Sequence, residues 1–304
     1  MNYKKIFPTR SLRHKILKAL SFVPDRVMIK LQYRIKMGFW PNLKNPERYS
    51  EKLQAYKLYY RNPLLHKAVD KYAVREYLHE KGLDGILPDL YGVYEKAEDI
   101  DFEKLPDRFV LKTNDGSGGH NVLICRDKKT LDKEKAVEDL NSWLNIKDVN
   151  PGREWAYTGI SKSMIIAEEY LENSKDPEKG LEDYKFYCFH GEPYFIAYDG
   201  ERYIGHKRNF YDLKWNNMHI ESDWPNFNHD IPKPENLEEM IKLARILSKD
   251  FPHVRVDLYS VNNQIYFGEL TFYPLCGYVR FTPDEFDFNT GRLFNISSFM
   301  PATR

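Results

Sequence analysis

Apolar positions recur at helical spacing near the start of the chain. Leu12, Ile16, Ala19, Leu20 and Val23 form one stripe, Pro24 closes it, and Val27, Leu31 and Ile35 open a second. From about 46 to 82 the pattern stays helical, with Ser50 as a cap for one run and HKAVDKYAVREYLHEKG as a long helix closed by Gly82. Ile86–Tyr94 and Phe109–Lys112 read as short strands, followed by a helix over Leu131–Leu144 and a polar loop over Asn145–Tyr157. Further strands are predicted at Met164–Leu171, Tyr184–His190 and Pro193–Tyr198. The polar segment Gly200–Pro234 carries little periodicity, and an unstructured stretch of that length usually marks a lid or binding loop. Leu237–Ser248 is an amphipathic helix leading into a last pair of strands. The order is mixed, with hairpins more evident than βαβ units, which gives an α+β fold class.

The most informative stretch is Val254–Gly277, where two runs of β-branched and aromatic residues flank Asn262-Asn263 and predict a β-hairpin. With Asn262-Asn263-Gln264 as the turn, Asp257 lies opposite Glu269 and Arg255 opposite Thr271, all on one face. Val254, Val256, Leu258, Tyr266, Leu270 and Phe272 then form the core side. Directly opposed carboxylates repel unless a cation sits between them, so this register points to a divalent metal site with an arginine beside it. A register shifted by one residue would separate the acids and leave an ordinary solvent-facing hairpin.

At 304 residues, the chain is long enough for two or three subdomains, and its net charge of +1 gives no global attraction to nucleic acid. Charge is uneven, however: residues 1–36 carry ten Lys and Arg against the single acid Asp25. A basic amphipathic helix of this kind either lies on an anionic membrane or packs with a solvated basic face. The three cysteines form no CxxC pair, which disfavours a zinc site and favours a reducing, cytoplasmic setting. Neither a membrane span nor a secretory signal is legible.

Between these regions, FVLKTNDGSGGH places Lys112 at a strand end just before Gly116, Ser117, Gly118 and Gly119. Glycines let backbone N–H groups curl around phosphate oxygens, and a lysine supplies charge to the same group. The segment matches neither a Walker A motif nor GxGxxG. It gains meaning in series with VDKYAVREYL, IIAEEYLE, DYKFYCFHGEP and RVDLYSVNNQIYFGELTFYP. In that order, from about Tyr49 to Phe294, the pieces resemble the ATP-grasp superfamily and its TupA-like branch, associated with teichuronopeptide and surface-polysaccharide synthesis.

The chain then divides into a basic amphipathic helical N-terminal segment (1–45), a helical region (46–108) and, as the resemblance implies, an ATP-grasp nucleotide-binding and catalytic region (109–304). Two α+β lobes with antiparallel sheets would clasp ATP. Lys71 and Lys112 would contact phosphates, and Gly116–Gly119 would close over them. Glu168, Glu169, Tyr170 and Leu171 would form the adenine hinge, with Glu172 at the ribose and Asp183 and Lys185 near the phosphates. Asp257, Glu269 and Thr271 would hold Mg²⁺, and Arg255 would stabilise the phosphoryl centre together with Lys112. Thr271 departs from the family pattern, which has Asn there. The implied reaction is ATP-dependent carboxylate–amine ligation through an acyl phosphate. It would join an amine or amino acid to a sugar-acid carboxylate on a glycan or lipid-linked glycan at the inner membrane face. Arg202, His206, Lys207 and Arg208 are the candidate acceptor grip, unless they are a solvated loop. The alternatives are a glycan kinase of the same fold, a non-catalytic nucleotide-binding assembly protein, and a glycosyltransferase using Asp99-Ile100-Asp101.

Overall fold

In the computed structural model, the described residues are 10–116, 121–145, 150–173 and 176–301. Strands β1 (Leu90–Tyr94), β2 (Phe109–Thr113), β3 (Val122–Cys125) and β4 (Ile165–Glu169) form an antiparallel sheet in the order β1-β4-β2-β3. Strand alternation sorts its faces. Phe109, Leu111, Ile165, Ala167 and Cys125 pack on one side with Ala136 and Leu140. The latter two belong to the helix Lys133–Leu144, whose first turn is capped by Asp132 accepting from Lys135 N–H at 2.9 Å. Lys112 and Glu168, on the other face, turn towards a second sheet. β3 escaped the periodicity reading because it is only four residues long and begins two residues after a glycine-rich segment.

The second sheet comprises β5 (Asp183–Phe189), β6 (Glu192–Gly200), β7 (Lys207–Asp212), β8 (His253–Val261) and β9 (Gln264–Thr271), all antiparallel in the order β7-β6-β5-β8-β9. The amphipathic helix Leu237–Ser248 covers one face, burying Met240, Ala244 and Leu247 against residues such as Phe186, Val254, Val256 and Leu258. On the other face an aromatic group around Tyr187, Phe195 and Phe210 meets Tyr49, Phe281 and Phe286. His253 is fully buried at that end, with Nε2 2.9 Å from the Tyr49 hydroxyl and Nδ1 2.9 Å from the Cys188 carbonyl. A carbonyl only accepts, so Nδ1 carries the proton and Nε2 accepts from tyrosine.

Three local predictions are corrected. Within Gly200–Pro234, residues 207–212 are an edge strand rather than part of a loop. The long helix over HKAVDKYAVREYLHEKG is broken at Asp70 into α-helices Leu64–Val69 and Val74–Glu80. There the Asp70 carboxylate accepts from the N–H groups of Tyr72 and Ala73 at 2.8 and 3.0 Å, a local side-chain capture that competes with continuing the helix. Ser50 is not a cap. It lies inside the helix Tyr49–Tyr59, where its hydroxyl donates to Asp287 at 2.7 Å.

The hairpin has a different turn from the expected one but reaches the expected register. Its turn has two residues, Asn262 and Asn263, both with positive φ (51° and 63°), so Val261 pairs with Gln264. This is the left-handed geometry that asparagine tolerates in tight hairpins. Continued unbroken, it would set Asp257 opposite Gly268 and turn Glu269 to the core. Instead, a bulge at Gly268 shifts the ladder by one, so Asp257 pairs with Glu269 and Arg255 with Thr271. The shift also corrects the core side: Ile265 and Phe267 are buried there, while Tyr266 pairs with Tyr259 on the other face.

A Cβ at Gly268 would sit 3.0 Å from the Asp257 carbonyl oxygen and 3.1 Å from the Tyr259 ring. Gly268→Val is therefore expected to destabilise the protein by about 1–3 kcal/mol through overpacking and to disturb the Asp257–Glu269 pairing. A denaturant midpoint indistinguishable from wild type would contradict this role for the bulge.

Candidate functional site

Cross-strand pairing lays charged residues in rows on one face of the second sheet. One row runs Arg208, Asp199, Asp183 and Tyr259, and the next contains Lys185, Asp257 and Glu269. Most of these charges are buried. Lys185 Nζ lies between Asp183, with which it makes a short ion pair, and Asp257, at 2.7 Å. Arg255 grips the same Asp257 with two parallel hydrogen bonds, at 2.7 and 2.6 Å, and donates to Thr271 Oγ1 at 3.0 Å. Thr271 in turn donates to Glu269 Oε1 at 3.0 Å, and Arg255 lies 3.5 Å from the same oxygen. Arg255 thus lies beside both opposed carboxylates.

The electrostatics follow from this packing. Burial works against the charge of Glu269, but Lys71, Arg255 and Lys185 outweigh it and hold its carboxyl at about 2. Burial alone would lower Lys185, yet Asp183 and Asp257 carry its pKa above the usual value. For Asp183 burial prevails over Lys185 and raises the carboxyl. Its Oδ1 is buried with no hydrogen-bond partner, while Oδ2 accepts from Arg202 at 3.1 Å.

The first sheet supplies the opposite wall. Lys112 forms a short ion pair with Glu168, which Arg75 also approaches at 3.4 Å while donating to the Pro88 carbonyl at 3.0 Å. Lys71 sits at the helix break and donates from Nζ to the Gly116 carbonyl, while its backbone N–H reaches the Asn114 carbonyl at 2.9 Å. Burial lowers the Lys71 pKa, with nearby Lys112 adding to the effect and Glu269 opposing it. Lys71, Arg75, Lys112 and Glu168 therefore line one cleft with Gly268 and Glu269.

Asn114, missed by sequence reasoning, ties this wall together. Its amide donates to Asp70 at 2.7 Å, and its Oδ1 accepts from the Met164 N–H at 2.8 Å. The only sequence signal was an Asn-Asp pair ahead of glycines, whose partner lies 44 residues earlier. Of the glycine loop, Gly116 lies beside Lys71, while Ser117, Gly118 and Gly119 lie outside the described residues.

The remaining candidates divide by location. Glu168 turns its side chain into the cleft, and Glu169 donates its backbone N–H to the Asp89 carbonyl at 2.9 Å. Beyond β4, Glu172 pairs with Arg108 at 2.6 Å and accepts from the Tyr170 hydroxyl at 3.2 Å, with Leu171 half-buried between them. In the polar segment, Arg208 is not a loop cation. It is buried with two bonds to Asp199, at 2.5 and 2.7 Å, which hold that carboxyl far below its usual range against the effect of burial. His206 Nε2 lies 3.2 Å from the same carboxylate, off the line of a good hydrogen bond, and its ring stacks on Trp224. Lys207 pairs with Glu201 at 2.8 Å.

The fit of a divalent cation can be judged from the donors. Among the described residues, no three His, Cys, Asp or Glu converge as a preformed metal cage. The donors that do converge are two carboxylates in direct register and the Thr271 hydroxyl, all oxygens. Magnesium is commonly held by one or two carboxylates, with phosphate oxygens and water completing its octahedron, so the set is compatible with it.

Among the described residues, no helix is long and apolar enough to cross a membrane. Comparison with curated protein sequences finds no match. Similar solved structures include D-alanine–D-alanine ligases from Bacillus anthracis (19% identity, 68% of this chain and 57% of that one, TM-score 0.42) and Helicobacter pylori (15%, 77%, 61%, 0.43). An L-amino acid ligase from Bacillus licheniformis is also similar (15%, 67%, 40%, 0.39). The chain spans less than two thirds of each of these proteins. The sequence profile of the TupA-like ATP-grasp family matches residues 51–295, a range that contains both sheets and every residue of the cleft. The chain therefore belongs to the TupA-like ATP-grasp family.

Proposed function

We propose that this protein is an ATP-dependent carboxylate–amine ligase working through an acyl phosphate. The observation that carries the reading is the facing arrangement of Lys71 and Lys112 with Glu269, beside the Arg255–Asp257–Thr271 network. A polyphosphate would find two lysines on one wall and carboxylates on the other. Mg²⁺ held by Asp257, Glu269 and Thr271 would offset phosphate charge. A carboxylate oxygen of the acceptor would attack the γ-phosphorus and expel ADP. An amine would then attack the acyl carbon, expelling phosphate and losing a proton as the amide forms. Arg255, aimed by Asp257, would stabilise the charge that develops on the transferring phosphoryl group. Family membership further supports a sugar-acid carboxylate in cell-surface polysaccharide as the acceptor and an amino acid as the amine, at the cytoplasmic face of the membrane.

The test is Mg²⁺-dependent turnover with lipid-linked glycan extract and mixed amino acids, with ADP and free phosphate followed separately. Matched release of both is expected, requiring glycan and amine together and falling on the order of 10²-fold in Glu269→Gln. ADP without free phosphate would replace the ligase with a kinase. Nucleotide binding with no turnover under any acceptor would overturn the proposal.

A further inference from the structure

We infer that the helix Asp25–Met37 docks the protein on an anionic bilayer surface through its outward face. This helix carries two apolar stripes. Met28, Ile29, Tyr33 and Met37 are buried and hold it to the body of the protein. Val27, Leu31 and Ile35 follow at i, i+4 and i+8 on a different face and are 48%, 43% and 40% exposed. Phe22 and Trp40 bracket this second stripe, 81% and 58% exposed. Scattered exposed apolar residues are ordinary, but a continuous stripe with an aromatic residue near each end calls for a partner.

Charge identifies that partner. Arg26, Lys30 and Arg34 run along one flank of the exposed stripe, within a segment that carries ten basic residues and one acid. The acid, Asp25, is paired with Arg153 at 2.8 Å. A second copy of the chain would bring like charges together on this face. A bilayer with anionic headgroups instead offers an apolar interior to the stripe and negative charge to its flank. At about 1.5 Å per residue the helix is roughly 20 Å long, suited to lying in the interface. Docking would also orient the rest of the protein, because the helix is held to Tyr278, seven residues beyond the end of β9. Gln32 accepts from the Tyr278 hydroxyl at 2.7 Å and donates to the Pro151 carbonyl at 2.8 Å, and Lys36 lies over the Tyr278 ring.

The experiment is co-sedimentation of the full chain with vesicles of phosphatidylcholine alone or mixed with phosphatidylglycerol, at low and high salt. Two variants are compared, Val27→Gln with Leu31→Gln and Ile35→Gln, and Arg26→Gln with Lys30→Gln. Wild type is expected to partition onto the anionic vesicles and to release at high salt. Each variant should lose about tenfold or more in partition while keeping its thermal midpoint, since the altered side chains lie on the surface. The inference fails if wild type stays in the supernatant at low salt or if both variants bind as it does. It also fails if wild type is a dimer that the first variant makes monomeric, which would assign the face to a second copy.

Discussion

Asp257→Asn is expected to destabilise the protein by about 3–5 kcal/mol and to abolish ATP turnover, because two buried cations lose their shared partner. In the native protein Asp257 receives two hydrogen bonds from Arg255 and one from Lys185. An amide of the same size keeps the packing but removes the negative charge, and the guanidinium cannot shed its proton to adapt. The partners are not equivalent, since Arg255 retains Thr271 and Glu269 while Lys185 retains Asp183. Adding Lys185→Met to Asp257→Asn should therefore recover part of the stability, because one uncompensated charge is gone, without recovering turnover. Urea unfolding of the four forms in a double-mutant cycle measures this coupling. A single variant within about 1 kcal/mol of wild type would show that Asp257 does not hold the network together.

The second large effect concerns acid. Burial lowers the His253 imidazole to about 3, against a modest opposing effect of the Cys188 carbonyl. In the unfolded chain a histidine titrates near 6.5. Between those values the unfolded state binds a proton that the folded state refuses. Stability is therefore lost as pH falls from about 6.5 towards 3, by up to about 1.4 kcal/mol per pH unit from this residue alone. His253→Asn removes the titration and should flatten the slope of unfolding free energy against pH by that amount between pH values of about 6 and 4, whatever its effect at neutrality. Parallel slopes for wild type and variant would rule out His253 as the source.

Much of this architecture can be read in the order of residues, for reasons that differ from element to element. The β8–β9 hairpin is legible because β8 alternates cleanly around an Asn-Asn turn, whereas the bulge at Gly268 that restores the register of β9 is not. The glycine-rich segment is legible because Lys112 ends a strand beside it. What could not be read depends on partners distant in the chain. β7 looks polar because Arg208 carries a charge, and its partner Asp199 joins it only through strand pairing. Helical periodicity runs straight through Asp70, and the break there is stabilised by Asn114 from another lobe. Arg255 is legible beside the opposed carboxylates, two residues from Asp257 on one strand, whereas Lys185 reaches Asp257 only through the pairing of β5 with β8. Such pairings are properties of the closed fold and leave no periodic trace in sequence.

The two-residue turn and the bulge at Gly268 also bear on how such a hairpin can change length. Eleven residues separate Asp257 from Glu269, eight of them paired, two in the turn and one in the bulge. Gly268 is the one residue of the strand without a cross-strand partner, so its loss would remove the bulge and leave Phe267 opposite Leu258 and Glu269 opposite Asp257 in an unbroken ladder. The alternation of faces would survive, with Phe267 in the core and Glu269 turned away from it. Loss of a second residue from β9 would exhaust that reserve, put Glu269 out of phase and send a carboxylate into the core. Length variation in β9 is accordingly expected to stop at one residue, with the bulge as the place where it is absorbed.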